Sequence, residues 1–340
     1  MGHERRPRGD QSHLGGCAMK TMHDTTFMVV GSSLFACAMA LELLDQGADV
    51  VLLDPSSTHP GISMTLHDER GKRSFELACS DSYGRAATTA TILLPLVGPE
   101  LEQACLALAP HLHDGHVLVV FPAYFMASTV QRQVPPSVHV AEMTSSPVVC
   151  DWGAEKEILI HKRKQRLKIG GCTKEAGNIA MHRLGRYLPM LVLATGVVET
   201  SLENINTVLH PLPILTNLVA VQRDTASFRH FFDGIDEHVS SLMHALDDER
   251  LAVGNALGLK LEPALDQLKS YYGNNAATTI FEYIHSPDCP YGEIRGFGLD
   301  SRYIRLDIPA LLVPTIALAR QLKVAVPLHE ACAALAAHVT

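Results

Sequence analysis

Residues 27–55 read FMVVGSSLFACAMALELLDQGADVVLLDP, and this stretch decides the fold. It begins with four apolar residues of strand length, passes through a turn of small residues, and continues as an apolar helix predicted over 34–46. Gly47 is suited to end that helix, because glycine readily adopts the left-handed conformation that follows a helix. A second apolar strand at 50–53 then ends at Asp54. Strand, glycine turn, helix, strand and acid form the opening unit of a dinucleotide-binding fold.

The turn after the first strand carries an altered phosphate-binding fingerprint. The pattern G-x-G-x-x-G/A corresponds here to Gly31-Ser32-Ser33-Leu34-Phe35-Ala36, so the first glycine and the closing alanine fit. Serine replaces the central glycine, which normally lets the backbone approach the pyrophosphate. The Ser33 side chain would either displace the phosphates or form a hydrogen bond with one of them. We predict cofactor contacts along residues 31–34, although an ordinary strand-to-helix turn would give a similar pattern.

The acid after the second strand indicates which dinucleotide is bound. Asp54 lies 23 residues beyond Gly31, where a carboxylate accepts hydrogen bonds from ribose hydroxyls. A 2′-phosphate would meet a like charge there, so the sequence favours NAD over NADP. NADP stays open, because Ser56 and Ser57 follow the acid and could bind a phosphate. The alternative interpretation of Asp54 is a turn cap before Pro55.

The rest of the first half continues as apolar strands separated by helices. Strands are predicted at 91–94, 117–121 and 138–143. This alternation is typical of a parallel sheet that helices cover on both faces. Because ligands bind at the carboxyl ends of such strands, we expect Leu94 and Pro95 to contact the cofactor.

The second half has a different character. Helices are predicted there over 203–221, 225–258, 261–272 and 307–322. The predicted fold class is therefore α/β, with an N-terminal Rossmann dinucleotide-binding domain followed by an all-helical C-terminal domain. We assign residues 25–198 to the first domain and residues 199–340 to a helical substrate-binding and catalytic domain. Residues 1–24 are polar and rich in Gly, His and Arg, and we interpret them as a disordered extension.

The composition argues against several classes of function. The chain of 340 residues has a formal net charge of −8, which argues against a nucleic-acid-binding surface. Its single basic cluster, at 162–168, is interpreted as a solvated hairpin edge. No apolar run reaches the roughly 18 residues of a membrane-spanning helix, and no secretory signal is visible. The eight cysteines form no C-x-x-C pair and no metal-ligand spacing, so we predict reduced thiols, no metal site and a cytoplasmic protein.

Two polar clusters in the second half contain residues suited to catalysis and substrate binding. In the first, Asn206 and His210 lie four residues apart and would share one helix face. Pro211 and Pro213 are expected to end that helix beside the histidine. The dipole at a helix C-terminus stabilises a protonated imidazole, which would suit His210 to act as a general acid near neutral pH. The alternative for His210 is a capped helix end without a catalytic role.

In the second cluster, Arg302 is followed five residues later by Asp307, just before an Ile-Pro pair. A carboxylate at such a helix start could orient an imidazole, as in other His–Asp dyads. The planar guanidinium of Arg302 is suited to bind a substrate carboxylate through two hydrogen bonds. A structural ion pair between Arg302 and Asp307 is the alternative.

With these motifs, the sequence resembles the octopine/nopaline (opine) dehydrogenase family over about residues 25–338. The most specific matches are Asn-x-Asn-x-x-x-His-Pro at 204–211 and Arg-Tyr-x-x-x-Asp-x-Pro at 302–309. Supporting matches lie at 141–147, 247–251 and 326–327. The resemblance implies a Rossmann domain followed by a helical domain. It also implies reductive joining of an amino group to an α-keto acid, with NADH or NADPH as the reductant.

The resemblance assigns roles to individual residues as well. It implies that His210 is the acid/base, that Asp307 is its partner, and that Arg302 anchors a carboxylate. It also places Asn206 and Thr144 near the substrate. The substrates implied are small molecules, an amine and an α-keto acid, whose identity the sequence leaves open.

Two other functions fit the same architecture. A β-hydroxyacid or ketopantoate reductase would need a lysine general acid on the first long helix of the second domain. Against this, no lysine occurs between Lys174 and Lys260. A non-catalytic Rossmann binding protein would be consistent with the serine at position 33. The apolar helices of the second half would also suit a homodimer.

Overall fold

The computed structural model describes residues 23–273 and 275–339. The predicted extension at 1–24 therefore lies outside the described residues, except for its last two positions. Those two belong to the first strand, which begins at His23 and thus two residues before the predicted start of the domain. Within the part of the chain that is described, no helix is both long and apolar enough to cross a membrane.

The strands of the described residues form one sheet. In chain order they are β1 His23–Val30, β2 Asp49–Leu53, β3 Gly61–Asp68, β4 Gly71–Ser80, β5 Thr89–Leu94, β6 Val117–Val120, β7 His139–Met143, β8 Val148–Trp152, β9 Glu157–Arg163, β10 Leu167–Gly171 and β11 Leu191–Leu193. Their order across the sheet is β11-β10-β7-β6-β5-β1-β2-β4-β3-β9-β8. The segment β4-β2-β1-β5-β6-β7 is parallel throughout, and its strand order is that of a dinucleotide-binding fold.

Helices cover this sheet and then form the second half of the chain. They are α1 Leu34–Asp45, α2 Gly98–Leu108, α3 Ala127–Gln133, α4 Lys174–Leu184, α5 Val197–Leu202, α6 Asn206–Leu209, α7 Pro211–Leu215, α8 Leu218–Arg223, α9 Glu237–Ala256, α10 Ala264–Tyr272, α11 Ile280–Ile284, α12 Arg302–Arg305, α13 Val313–Leu322 and α14 Pro327–Val339. The predicted fold class is confirmed. The domain division at residue 198 stays a prediction, since α5 runs across it.

The central strands bury apolar side chains on both faces. Val29 and Leu93 pack in one cluster with side chains of α1 and α4. Met28 and Ile92, their neighbours along the strands, point to the other face and pack with α2 and α3. Alternating side chains lie on opposite faces of a strand, so a strand that is apolar throughout must be covered twice. Helices on both faces therefore fix the central strands, and the carboxyl ends of β1, β5 and β6 lie at one edge of the sheet.

The predicted long helices of the second half are interrupted. The segment predicted over 203–221 divides into α6, α7 and α8. Pro211 separates α6 from α7, because it has no N–H to continue the hydrogen-bond ladder. In the segment predicted over 225–258, the helix begins only at α9. There the Asp236 carboxylate accepts a 2.7 Å hydrogen bond from the Val239 backbone N–H, as helix-capping residues do.

The basic cluster at 162–168 is not a solvated edge, and that interpretation was wrong for three of its members. Arg163 forms 2.7 and 2.6 Å ion pairs with Glu42 and Asp68. Lys164 is only 8% exposed, and Lys168 forms ion pairs with acids at the start of the helical half. The reason is tertiary: β9 and β10 are strands of the sheet, and its neighbouring elements bring acids to Arg163 and Lys168 and bury Lys164.

Candidate active site

The predicted phosphate-binding turn is present at the carboxyl end of β1. Gly31 adopts a φ of +95°, which favours glycine, and its N–H donates a 2.8 Å hydrogen bond to the Leu53 carbonyl. Ser33 caps α1, because its hydroxyl oxygen accepts a 3.3 Å hydrogen bond from the Ala36 N–H. Its φ of −64° is available to any residue. The serine therefore preserves the turn, and its hydroxyl lies at the helix N-terminus, where phosphates bind.

Asp54 lies at the carboxyl end of the neighbouring strand, β2. Its carboxylate accepts hydrogen bonds of 2.9 and 2.7 Å from the Ser56 N–H and hydroxyl. Burial opposes ionisation, but these hydrogen bonds, together with one from Ser32, lower the pKa of Asp54 below its ordinary value. The turn at 31–33 and an ionised acid are thus close together, as a ribose-binding site requires.

Leu94 and Pro95 lie at the carboxyl end of β5, beside this turn. Both are buried, and Leu94 packs in the core between the sheet and α2. The side chain that approaches the turn is that of Leu96, 3.4 Å from where a Cβ on Gly31 would lie. Contact of Leu94 and Pro95 with the coenzyme stays a prediction.

The two polar clusters of the second half meet in space. His210 lies between α6 and α7, and its Nδ1 is 2.5 Å from Oδ2 of Asp307. The histidine is 4% exposed and the aspartate 0%. Asp307 comes directly before a π-helical turn, Ile308–Leu312, a distortion often found at functional sites. The pair has the geometry of a His–Asp dyad, in which the carboxylate fixes the imidazole tautomer and leaves Nε2 free to exchange a proton.

Tyr124 is a member of this site that sequence reasoning missed. Its hydroxyl donates a 2.5 Å hydrogen bond to Oδ1 of Asp307, so both carboxylate oxygens are occupied. Burial and the charge of Asp307 hold the pKa of Tyr124 well above its ordinary value, and the phenol keeps its proton. One signal could have found it: Tyr124 follows β6 by four residues, at the edge where ligands bind.

The Tyr303 ring covers the imidazole, and Arg302 lies against the Tyr303 ring. The Tyr303 ring stacks on His210 with 3.7 Å between ring centroids, and the Arg302 guanidinium lies 5.0 Å from the centroid of the Tyr303 ring. Burial opposes the charge of Arg302, but Tyr124 and Asp307 raise its pKa above the ordinary value. No ion pair of Arg302 occurs among the described residues, so its charge is available to a ligand.

Burial opposes the protonated form of His210 that the sequence predicted. We expected a helix dipole and Asp307 to favour the protonated form. Burial is the largest influence and lowers the pKa of His210 below its ordinary value, more than Asp307 raises it, and Arg302 lowers it further. The helix before it, α6, has only four residues and contributes little dipole. The free imidazole is therefore a base near neutral pH.

A cavity of about 970 Å³ extends from these groups to the start of α1, directly after the predicted phosphate-binding turn. Its lining includes Leu34 and Phe35 from the start of α1, and Asn206, His210 and Arg302 from the helical half. Thr144 does not line it. That threonine is 1% exposed, and its hydroxyl donates a 3.3 Å hydrogen bond to the Lys168 carbonyl. Its neighbours Ser145 and Ser146 form the cavity wall instead.

Comparison with known proteins identifies the helical half. Residues 193–340 match the model of a family described as NAD/NADP octopine/nopaline dehydrogenase, alpha-helical domain. An opine dehydrogenase from Arthrobacter sp. (strain 1C) is 27% identical over 297 residues, which cover 85% of this chain and 78% of that protein.

Solved structures share the fold. An octopine dehydrogenase in complex with NADH and agmatine superposes with a TM-score of 0.74 at 16% identity, over 92% of this chain and 89% of that one. A ketopantoate reductase from Ralstonia eutropha JMP134 gives a TM-score of 0.63 at 15% identity, over 92% and 97% of the two chains. The matched helical domain, the relative that aligns along most of the chain and the shared fold lead to one conclusion. The helical half matches the octopine/nopaline dehydrogenase family, and the chain as a whole is similar to opine dehydrogenases, which indicates an NAD(P)-dependent oxidoreductase.

Proposed function

We propose that this protein joins the amino group of an amino acid or related amine to an α-keto acid and reduces the resulting imine. One observation carries this proposal. The His210–Asp307 pair lies close to Arg302, which has no carboxylate partner in an ion pair among the described residues, and His210 and Arg302 line a cavity that extends to Leu34 and Phe35 at the start of α1. A proton-exchanging group, a carboxylate anchor and a coenzyme site are what such a reaction needs.

The residues at the sheet edge fit a nicotinamide dinucleotide. Gly31 and Ser32 would let the pyrophosphate approach the start of α1, where Ser33 and Leu34 would contact it. Asp54 would accept hydrogen bonds from the ribose hydroxyls, and its charge favours NAD over NADP. When bound, the coenzyme supplies the hydride that reduces the C=N bond.

His210 would manage protons in two successive steps. As the free base, it takes a proton from the ammonium group of the amino substrate, which leaves a neutral amine that attacks the keto carbon. As the acid, it then gives that proton to the hydroxyl of the resulting carbinolamine, which leaves as water. The iminium that remains already carries positive charge and accepts hydride without further proton donation. Acid–base help of this kind contributes on the order of 10²–10⁴-fold in rate.

Arg302 would bind the carboxylate of the keto acid and present one face of its carbon to the hydride. Two parallel hydrogen bonds from a guanidinium fix a carboxylate in orientation as well as in position. Asn206 lines the same cavity and would contact the reacting groups. Thr144 would act indirectly, by holding the segment that carries Ser145.

The test is a coenzyme-oxidation assay over a matrix of amino acids and α-keto acids, with the product mass measured. We expect NADH oxidation that requires both substrates, and a product with the mass of the secondary amine. Oxidation with keto acid alone would favour a ketopantoate-type reductase, whose fold is shared. Absence of binding to NAD(H) and NADP(H) by calorimetry would favour a non-catalytic binding protein.

We further propose that the enzyme works in the cytoplasm on small molecules, without a nucleic-acid partner, and that it forms a homodimer. The described cysteines are free thiols, consistent with a reducing compartment. The net charge of −8 disfavours a polyanion as partner. Exposed apolar side chains on the helical half, among them Val219 and Leu335, would suit a subunit contact. Sedimentation at several protein concentrations tests the dimer.

A further inference from the structure

Lys164 is a buried cation on the wall of the cavity. It follows the end of β9, is 8% exposed, and lines the same cavity as His210. Its ammonium group donates a hydrogen bond to the Ser145 hydroxyl and lies 4.5 Å from the centroid of the Tyr271 ring. The backbone is fixed as well, since the Lys164 N–H donates a 2.9 Å hydrogen bond to the Pro147 carbonyl. The side chain is thus held in place by two segments.

This lysine has no carboxylate partner among the described residues, whereas two other side chains of the cavity lining do have one. Arg295 pairs with Glu293 at 2.6 Å, and His161 pairs with Asp151 at 2.8 Å. Burial without a counter-ion lowers the pKa of Lys164 to about 7. A buried ammonium group is costly unless it is paired. An anion that enters the cavity would supply the missing partner.

A backbone hydrogen bond links the segment that carries Ser145 to the segment that carries Tyr124, which contacts Asp307. Ser145 follows β7, and Tyr124 follows the neighbouring strand, β6. The Ala123 N–H donates a 3.2 Å hydrogen bond to the Thr144 carbonyl, which joins the two segments one residue from each of these side chains. A ligand at Ser145 therefore lies next to the segment that contacts Asp307.

We propose that Lys164 and Ser145 bind the α-carboxylate of the amino substrate and so select α-amino acids over amines that lack this group. The inference rests on the proposed function. Condensation brings two carboxylates to one nitrogen, and like charges repel, so each needs its own cation. Arg302 binds the carboxylate of the keto acid beside His210. Lys164 binds the α-carboxylate of the amino acid from the sheet side of the cavity.

The experiment compares Lys164→Met with the wild-type enzyme on two matched pairs: arginine with agmatine, and phenylalanine with phenethylamine. Each pair differs only in the α-carboxylate. In the variant, KM for the amino acid should rise about 10- to 100-fold, as expected for a lost hydrogen bond between charged groups. KM for the amine and for the keto acid should change less than about threefold. Ser145→Ala should move the amino-acid KM in the same direction by a smaller factor, and Lys164→Arg should retain the preference.

Two results would overturn the proposal. One is an equal rise in KM for the amino acid and its amine, or a rise in KM for the keto acid. The other is the same loss of preference in Lys162→Met, since that would assign it to general positive charge in the cavity. Thermal unfolding and NADH binding verify that Lys164→Met is folded.

If the wild-type enzyme turns over none of these four compounds, the proposed function fails, and binding measurements then test the carboxylate site independently. Calorimetry of the same four compounds with the NADH-loaded protein then decides. Amino-acid binding that Lys164→Met abolishes supports the carboxylate site. Equal binding by both proteins, or no binding by either, refutes it.

Discussion

Replacing Asp307 by asparagine tests the proton-exchanging group with the smallest change in shape. The carboxylate of Asp307 accepts two 2.5 Å hydrogen bonds, from His210 Nδ1 and from the Tyr124 hydroxyl, in a fully buried position. An amide has only one accepting oxygen. If that oxygen faces His210, the Tyr124 proton must turn away. If the amide nitrogen faces His210, the imidazole must take the other tautomer, with its proton on Nε2.

The size of the effect follows from these contacts. The Asp307 carboxylate stabilises the imidazolium that forms once His210 has taken a proton, and removing one partner of such a buried pair typically costs about 3–5 kcal/mol. At about 1.4 kcal/mol for each factor of ten, this corresponds to a fall in kcat of roughly 10²- to 10⁴-fold. The pH profile should move as well. Asp307 raises the pKa of His210, so without its charge the acidic limb of kcat/KM shifts to lower pH.

The assay is the initial rate of NADH oxidation over a range of substrate concentrations, repeated over pH so that both kcat and kcat/KM are obtained. Calorimetry should give NADH binding within about threefold of wild type, because Asp307 lies in the helical half. A kcat within tenfold of wild type, with an unmoved acidic limb, would refute the assigned dyad. The profile matters because a purely structural aspartate could lower kcat without moving the limb.

Three further substitutions have expected outcomes. Tyr124→Phe leaves one oxygen of Asp307 without its donor, which should lower kcat by about 5- to 100-fold in steady-state assays, with NADH affinity unchanged. Arg302→Met should raise KM for the keto acid by about 10²-fold. Because Arg302 lowers the pKa of His210, the same variant should move the acidic limb of kcat/KM to higher pH, opposite to Asp307→Asn. Asp54→Asn should raise the ratio of NADPH to NADH affinity, measured by calorimetry, by about tenfold, since a like charge near the 2′-phosphate is removed.

The first domain could be predicted because its signals are local. Apolar runs of strand length, a glycine of positive φ and an acid after β2 specify β1, α1 and β2 within thirty residues. The pairing of His210 with Asp307 spans 97 residues, and only the family resemblance connected them. The helical limits near Pro211 and the start of α9 after Asp236 were also within reach, because a proline and a capping aspartate are local signals.

What the sequence could not predict depends on burial. Tyr124 lies in an irregular segment after β6, where spacing does not show which way a side chain points. The direction of the His210 pKa follows from its desolvation, which outweighs a visible acidic neighbour. Lys164 belongs to a basic run that resembles a solvated edge, yet the fold buries it. In each case the residue type was visible and its environment was not.

The site is assembled from both halves of the chain, which limits how it can work. Asp307 accepts one hydrogen bond from Tyr124, at the sheet edge, and one from His210, in the helical half. The Asn204 side chain adds a 2.7 Å hydrogen bond to the Ala123 carbonyl, next to Tyr124. A displacement of the helices against the sheet by an ångström would therefore separate the carboxylate from one of its donors. Because rates depend steeply on such distances, the contacts that join the halves are part of the catalytic apparatus as much as the dyad itself.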